Sequence, residues 1–401
     1  FGYQANIPNG PFVDKQLMAI GPDVQVPGSP ERAFVTYTQA VPGLINLKSV
    51  TSSDAAGTIW AACGVDASTA VGLQDPQNDP DRFSGKYAAP VVLTNYRRGR
   101  IVVAFCHEAG SGLPAVTVRS HLTGLWSGRI DLPAVDSSNT TIQSLTAVQR
   151  PLPGSFSIAS YPAPAANPTF NNQFFVAFAA VATTDPTNTD LFVARSQDGG
   201  ESYSALEVLR ITDAMLGDTP GTDQFMPWIY VDQWGGVNLL YYRTTTPDSV
   251  TDTSQVYLDA YYARIYPFTT SSPNIAAEAR RRRRSAGAVP PGASNSYVGD
   301  YQMLHGAKCN VYAAYMSTRA PDQTERYTIY VQNIRLCPPA DVDSSGLIDG
   351  ADLMEFGAAY VGTQWGGSMT GQRALKHTGL LGIPVVNVEN ACSSGSTALH
   401  L

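Results

Sequence analysis

The stretch that most constrains the fold is residues 191–242. It reads LFVARSQDGGESYSALEVLR and, after a polar connector, DQFMPWIYVDQWGGVNLLYY. Apolar residues alternate with polar ones and are bounded by Gly and Asp, which predicts short half-buried strands. The first pair is joined by a glycine turn carrying Ser196, Asp198, Gly200, Ser202 and Tyr203. The second pair folds at Asp232-Gln-Trp-Gly-Gly. Asp198 is placed to accept hydrogen bonds from its own loop, as in Asx turns, and Tyr203 to pack over the hairpin. Two such hairpins in about fifty residues match one four-stranded unit of a repeating β architecture.

The texture returns along the chain. VDKQLMAIGPD with ERAFVTYTQ near the start and YVGDYQMLHGAKCNVYAAYMS at 297–317 repeat the second hairpin, and weaker copies lie at 89–108 and 155–181. LPAVTVRS, DLFVARSQDGG, VYLDAYYARI and YTIYVQNI supply outer strands. The expected fold is all-β, a β-propeller of about six blades over residues 1–336. Aligning the three clearest copies puts Asp14, Asp223 and Asp300 just before a first strand. If those strands are innermost, the carboxylates gather at one mouth of a channel, where they would bind a cation or sugar hydroxyls. The alternative is that each caps a loop by accepting backbone N–H bonds.

Composition agrees with an extracellular β protein. Only 15% of the 401 residues are charged, while Gly (35), Pro (28) and Tyr (20) are plentiful. A net charge of −7 argues against a nucleic-acid partner, and no apolar run is long enough to span a membrane. The chain starts at Phe1, which is expected of a mature product or a fragment. Cys63, Cys106, Cys309, Cys337 and Cys392 show no metal-ligand spacing, so one or two disulfides are the expectation, with the pairing open.

The turn pattern S-x-D-x-G-x-S-Y resembles the Asp-box of sialidases and related propellers, with Ser for Thr and Tyr for Trp. The resemblance implies a sialidase-superfamily propeller in which Ser196, Asp198, Gly200, Ser202 and Tyr203 are structural. It also raises an exo-sialidase-like hydrolase as one function, although no arginine stands in the start motif that such enzymes carry. Arg195, Arg264 and Arg335 fall at outer-strand ends, where solvated ion pairing is expected. The run Arg280–Arg284 interrupts the pattern and reads as an exposed inter-blade loop, with a polyanion patch as the sharper alternative.

Residues 337–363 change character, CPPADVDSSGLIDGADLMEFGAAYVGT. Asp341, Asp343, Ser345, Asp349 and Asp352 fall at positions 1, 3, 5, 9 and 12 of a twelve-residue calcium loop. Gly346 permits the bend and Leu347 offers its backbone carbonyl. The apolar spacing that follows predicts a helix. The segment resembles one half of a dockerin, which implies Ca2+ binding and, with a second repeat that is not seen, docking to a cohesin-type scaffold.

From about residue 364 the text changes again, to GGSMTGQRALKHTGLLGIPVVNVENACSSGSTALHL. A helix at 372–380, a buried strand at 383–388 and a tight turn opening a helix are expected. A thiol at that turn faces a helix N-terminus, whose dipole favours thiolate. The run closely resembles thiolases of the type fused to sterol carrier proteins, which implies Cys392 as the acyl-accepting nucleophile in an α/β fragment. Such a tail would be cytoplasmic, which clashes with a secreted propeller, and a composite reading frame is the simplest expectation.

Two function classes follow. One is a secreted propeller that binds glycan or protein ligands and is tethered by a calcium module. The other is an acyl-CoA thiolase or acyltransferase fragment.

Overall fold

A computed structural model of the protein describes residues 12–22, 31–41, 44–52, 60–62, 88–92, 100–105, 113–120, 130–145, 151–152, 156–157, 162–170, 172–245, 257–271, 273, 275–276, 302–307, 309–319 and 325–336. The calcium loop, the thiolase-like tail, Asp300 and Arg280–Arg284 lie outside them. The chain divides into two compact units, Phe1–His305 with Ala313–Gln332, and Gly306–Tyr312 with Asn333–Leu401.

The described strands form antiparallel sheets, each with its strands in chain order. β1 (Phe12–Pro22), β2 (Glu31–Val41), β3 (Leu44–Ser52) and β4 (Trp60–Ala62) make the first. β5 (Ala88–Val92), β6 (Arg100–Phe105), β7 (Ala115–Ser120) and β8 (Ile130–Asp131) make the second. After β9 (Ile142–Ser144) comes a short pair, β10 (Pro151–Leu152) and β11 (Phe156–Ser157). The next sheet holds β12 (Ala163–Ala166), β13 (Phe174–Ala182), β14 (Asp185–Ser196) and β15 (Val208–Ile211), and β9 also pairs with β13. A single helical turn, α1 (Asp213–Leu216), leads to β16 (Gln224–Val231), β17 (Val237–Thr245), β18 (Tyr257–Ile265) and β19 (Ile275–Ala276). β20 (Met303–Ala307), β21 (Asn310–Arg319) and β22 (Glu325–Arg335) form a three-stranded sheet. The chain is thus mostly β.

The repeated hairpins of the sequence are the first two strands of these sheets. β1 lies against β5, β5 against β12, and β12 against β16, so the first strands of successive sheets make one row. About six repeats are expected from the sequence; the described residues form five sheets of three or more strands and one short pair.

Residues 191–242 differ from expectation in two ways. They do not form one sheet: β14 and β15 complete one and β16 and β17 begin the next. Nor are the strands half-buried. Residues 191–194 and 237–242 are buried throughout, and the strand before them, β13, FFVAFAAVA, is buried along its whole length. Phe174, Val176, Phe178, Ala180 and Ala182 pack toward Val102, Ala104, Val116 and Val118 of the preceding sheet. Phe175, Ala177, Ala179 and Val181 pack with Ile229, Val231, Leu239 and Tyr241 of the following one. Alternation therefore divides the strand between two cores, because the sheet has a neighbour on each face. Small alanines let the neighbours approach, while the stacked Phe178–Phe192 rings, 5.5 Å between centroids, fill the wider gap.

In the second unit Cys309 is fully buried and disulfide-bonded. Its carbonyl accepts a 2.7 Å hydrogen bond from Leu336 N–H.

Candidate functional site

The glycine turn after β14 is a closed hydrogen-bond system. Ser196 Oγ donates to Asp198 Oδ1 at 2.7 Å and accepts from Gly200 N–H at 2.8 Å. Asp198 Oδ1 accepts from Ser202 N–H at 2.9 Å, and Oδ2 from the Ser202 hydroxyl at 2.5 Å. Burial pushes the Asp198 carboxyl up, but the Ser202 and Ser196 hydroxyls and the Ser202 and Glu201 N–H groups outweigh it and hold the group below its ordinary value. Gly200 has φ +90°, and a Cβ there would meet Val102 Cγ2 at 2.9 Å and Val118 Cγ2 at 3.2 Å. The turn thus seats its backbone on the preceding sheet. Burial pushes the Tyr203 hydroxyl far up, and the Asp198 charge adds to it.

Asp232, fully buried, organises the turn after β16. Its Oδ1 accepts from Trp234 and Gly236 N–H at 3.0 and 2.9 Å, and its Oδ2 from Asn238 Nδ2 and Arg264 Nε at 3.1 and 2.8 Å. Arg264 is therefore not a solvated strand-end arginine, because its partner carries a buried charge that needs compensation. Arg195 likewise pairs with Glu207 at 2.5 Å, and both are largely covered.

At the other end of β16 lies the candidate site. Asp223, expected before this strand, immediately precedes it and is buried. Its Oδ1 accepts Thr189 N–H at 2.9 Å, tying β14 to the start of β16. Its own N–H donates to Thr244 Oγ1 at 3.0 Å. Beside it Asp213 Oδ2 accepts from Asn188 Nδ2 at 3.0 Å and from Gly221 N–H at 2.8 Å, and its Oδ1 accepts from Gln224 Nε2. Arg243 pairs with Asp218 and lies over the Tyr261 ring at 3.7 Å. Asp190 pairs with Arg210 at 2.6 Å. Burial pushes the Asp190 carboxyl up to about 6 against the opposing pull of Arg210. The Asn188 Oδ1, Thr189 Oγ1 and Gln224 Oε1 atoms are buried without a hydrogen-bond partner.

These contacts pin both ends of the connection from β15 to β16. Asp213 holds it at Gly221, and Asp223, its last residue, is tied to Thr189 and Thr244. Between them Ala214, Met215, Gly217, Thr219, Pro220 and Gly221 are exposed. Gly217 ends α1 at φ 68°, ψ 27°, in the left-handed region.

Asp14 does not precede its strand: it lies within β1, opposite Thr38, where a register shift begins between Asp14 and Leu17. In β16 the corresponding shift falls between Phe225 and Trp228, two residues further from Asp223, so the two aspartates are not equivalent in their hairpins. Among the described residues no three His, Cys, Asp or Glu side chains converge as a metal site. Sequence reasoning missed Asn188, Asp190, Asp213 and Gln224. Only the Thr212-Asp213 pair carried a local signal, that of a helix start.

No family model matches the chain. A lipid-transfer protein-like protein of Caenorhabditis elegans ("Non-specific lipid-transfer protein-like 2") is 58% identical over 43 residues, covering 11% of this chain and 10% of its own. The benzoylsuccinyl-CoA thiolase subunit BbsB of Thauera aromatica is 51% identical over 45 residues, 11% of this chain and 12% of that protein. Sterol carrier protein 2 of Bos taurus is 54% identical over 44 residues, 11% and 8%. Among solved structures, an α-L-arabinanase of Penicillium chrysogenum complexed with arabinobiose aligns at TM-score 0.38 and 10% identity, covering 81% of this chain and 99% of that one. An α-L-arabinofuranosidase of Fusarium graminearum aligns at 0.40 and 12%, covering 81% and 98%. A levansucrase of B. megaterium aligns at 0.40 and 11%, covering 80% and 83%. At these scores no residue role or ligand transfers to this chain. The chain carries a short thiolase- and sterol-carrier-like segment and spans about a tenth of the length of the curated relatives it matches.

Proposed function

We propose that the chain is a secreted β-propeller that binds glycans without cleaving them. The observation that carries the reading is the connection 214–222, exposed at Ala214, Met215, Gly217, Thr219, Pro220 and Gly221, whose ends are pinned by the buried carboxylates of Asp213 and Asp223. Binding residues are commonly carried on loops that a rigid scaffold positions. On this reading Asp223 positions the binding loop and does not itself touch ligand, and Asp14 and Asp300 are further candidates at their own hairpins. The turn at 196–203 is read as a structural Asp-box. The row β1, β5, β12, β16 and the β13 sheet covered on both faces support the radial reading. The buried, disulfide-bonded Cys309 favours an oxidising compartment. The loop at 341–352 is read as a Ca2+-binding, dockerin-like tether to a cohesin-type scaffold, with Asp341, Asp343, Ser345, Leu347, Asp349 and Asp352 as ligands.

The test is calorimetric titration of the full chain with neutral and sialylated oligosaccharides. Binding should weaken at least five-fold in Asp223→Asn and in Thr219→Ala/Pro220→Ala. Undiminished binding in both would show that this connection is not the site, and loss confined to Asp223→Asn would show that the aspartate itself is the contact.

A second reading is favoured by the 51–58% identities, far above the level of the fold likenesses. A match of 43 to 45 residues is what the tail supplies if the resemblance reaches back to about residue 358. Cys392 would then be the nucleophile of an acyl-CoA thiolase fragment joined to the propeller in a composite frame. Long single reads across residues 355–370 test this. Two separate templates are expected, and one uninterrupted template continuing into thiolase sequence would contradict it.

A further inference from the structure

The end of the sheets opposite Asp223 carries a strip of aromatic side chains that the loop 214–222 does not involve. β16 has eight residues, so its two ends are separated by about 25 Å. At the far end, Arg264 lies 5.0 Å from the Tyr266 ring centroid and 5.8 Å from that of Trp234. Next to Trp234, a Cβ on Gly235 would stand 3.7 Å from the Phe170 ring. Thr169 Oγ1 donates to the Gln233 carbonyl at 2.6 Å and joins the loop between β12 and β13 to this turn. Phe170 is 55% exposed and Tyr266 45%, Trp234 is half-buried, and Pro168 and Pro267 flank them in solvent.

Single exposed rings are ordinary, but three part-exposed rings gathered about one arginine and one turn make a larger apolar area, and such areas mark an interaction surface. The framework here is firm: the Asp232 carboxylate holds Trp234 N–H, Gly236 N–H and Arg264 together. The Arg264 charge is met by Asp232 at 2.8 Å, so the strip offers apolar ring surface with no net charge to attract a polyanion. A stable protein interface buries roughly 800 Å² on each side, several times what three part-covered rings present. A chain of sugar rings fits better, because an equatorially substituted pyranose has apolar C–H faces and polar edges. We propose that Phe170, Trp234 and Tyr266 form a second carbohydrate subsite, for a neutral β-linked pyranose chain. This subsite stands independently of the loop 214–222.

The experiment is affinity electrophoresis of the full chain through gels containing hydroxyethylcellulose or neutral arabinoxylan, with heparin and a proline-rich peptide as competitors. Retardation in at least one neutral gel is expected, weakened at least five-fold in Phe170→Ala and in Tyr266→Ala. It should survive in Trp234→Phe, which keeps a ring. Mobility unchanged in both gels, retardation unaffected by the two alanines, or displacement by heparin or the peptide would each overturn the proposal. Phe170 and Tyr266 are exposed, so unchanged thermal unfolding should accompany the loss.

Discussion

At the scale of single residues, buried charge does most of the positioning, and its sign is testable. Asp190 has its folded-state pKa raised from the ordinary 3.8 to about 6 by burial, so the folded protein holds that proton more tightly than the unfolded chain. Its contribution to stability is full below about pH 4 and is lost as pH rises through about 6. Asp198 behaves oppositely. Its lowered pKa gives stability that is present above the ordinary carboxylate range and is lost as pH falls through the folded value. Urea midpoints compared between pH 4 and 7 should show a slope in the wild type that Asp190→Asn reduces, while Asp198→Asn should act mainly above pH 4. Equal slopes in the wild type and Asp190→Asn would remove the burial argument. Gly200→Ala meets both a left-handed φ and the Val102 and Val118 methyls, and should cost about 2–4 kcal/mol in urea unfolding.

At the scale of elements, the turns lock sheets together as much as they reverse the chain. The turn at 196–203 rests on the second sheet, and the turn at 232–236 ties β16, β17 and β18 through Asp232, Asn238 and Arg264. Asp232→Ala should cost about 2–4 kcal/mol, since it strands Arg264 and two N–H groups. Phe178→Ala opens the core between the second and third sheets and should cost about 3–5 kcal/mol. Strands and hairpins were legible in the sequence because turn residues and apolar alternation are local signals. Which hairpins share a sheet was not. FFVAFAAVA has apolar residues at both parities, and only the neighbours on each side explain why both are buried. The carboxylate site was half legible. Asp223 stood out as a repeat, but Thr189 reaches it from 34 residues away and Asn188 reaches Asp213 from 25 residues away in sequence, and no local pattern records such contacts.

At the largest scale, the two ends of the sheet that β16 begins, within the first unit, present different surfaces. One end carries a loop held by buried carboxylates, the other an aromatic strip held by a neutralised arginine. No helix among the described residues is long and apolar enough to cross a membrane. The proposed calcium tether belongs to this scale too. The melting temperature of the full chain should rise in Ca2+ relative to chelator, and Asp341→Ala should abolish the rise; equal melting in both conditions would remove the calcium loop from the account. The central claim is that this scaffold holds glycans and does not cut them. It is tested most directly by incubating the full chain with neutral and sialylated glycans while following bound ligand, released reducing ends and released sialic acid together. The account predicts saturable binding with neither product accumulating; catalytic release of either, or no binding to any glycan, would contradict it.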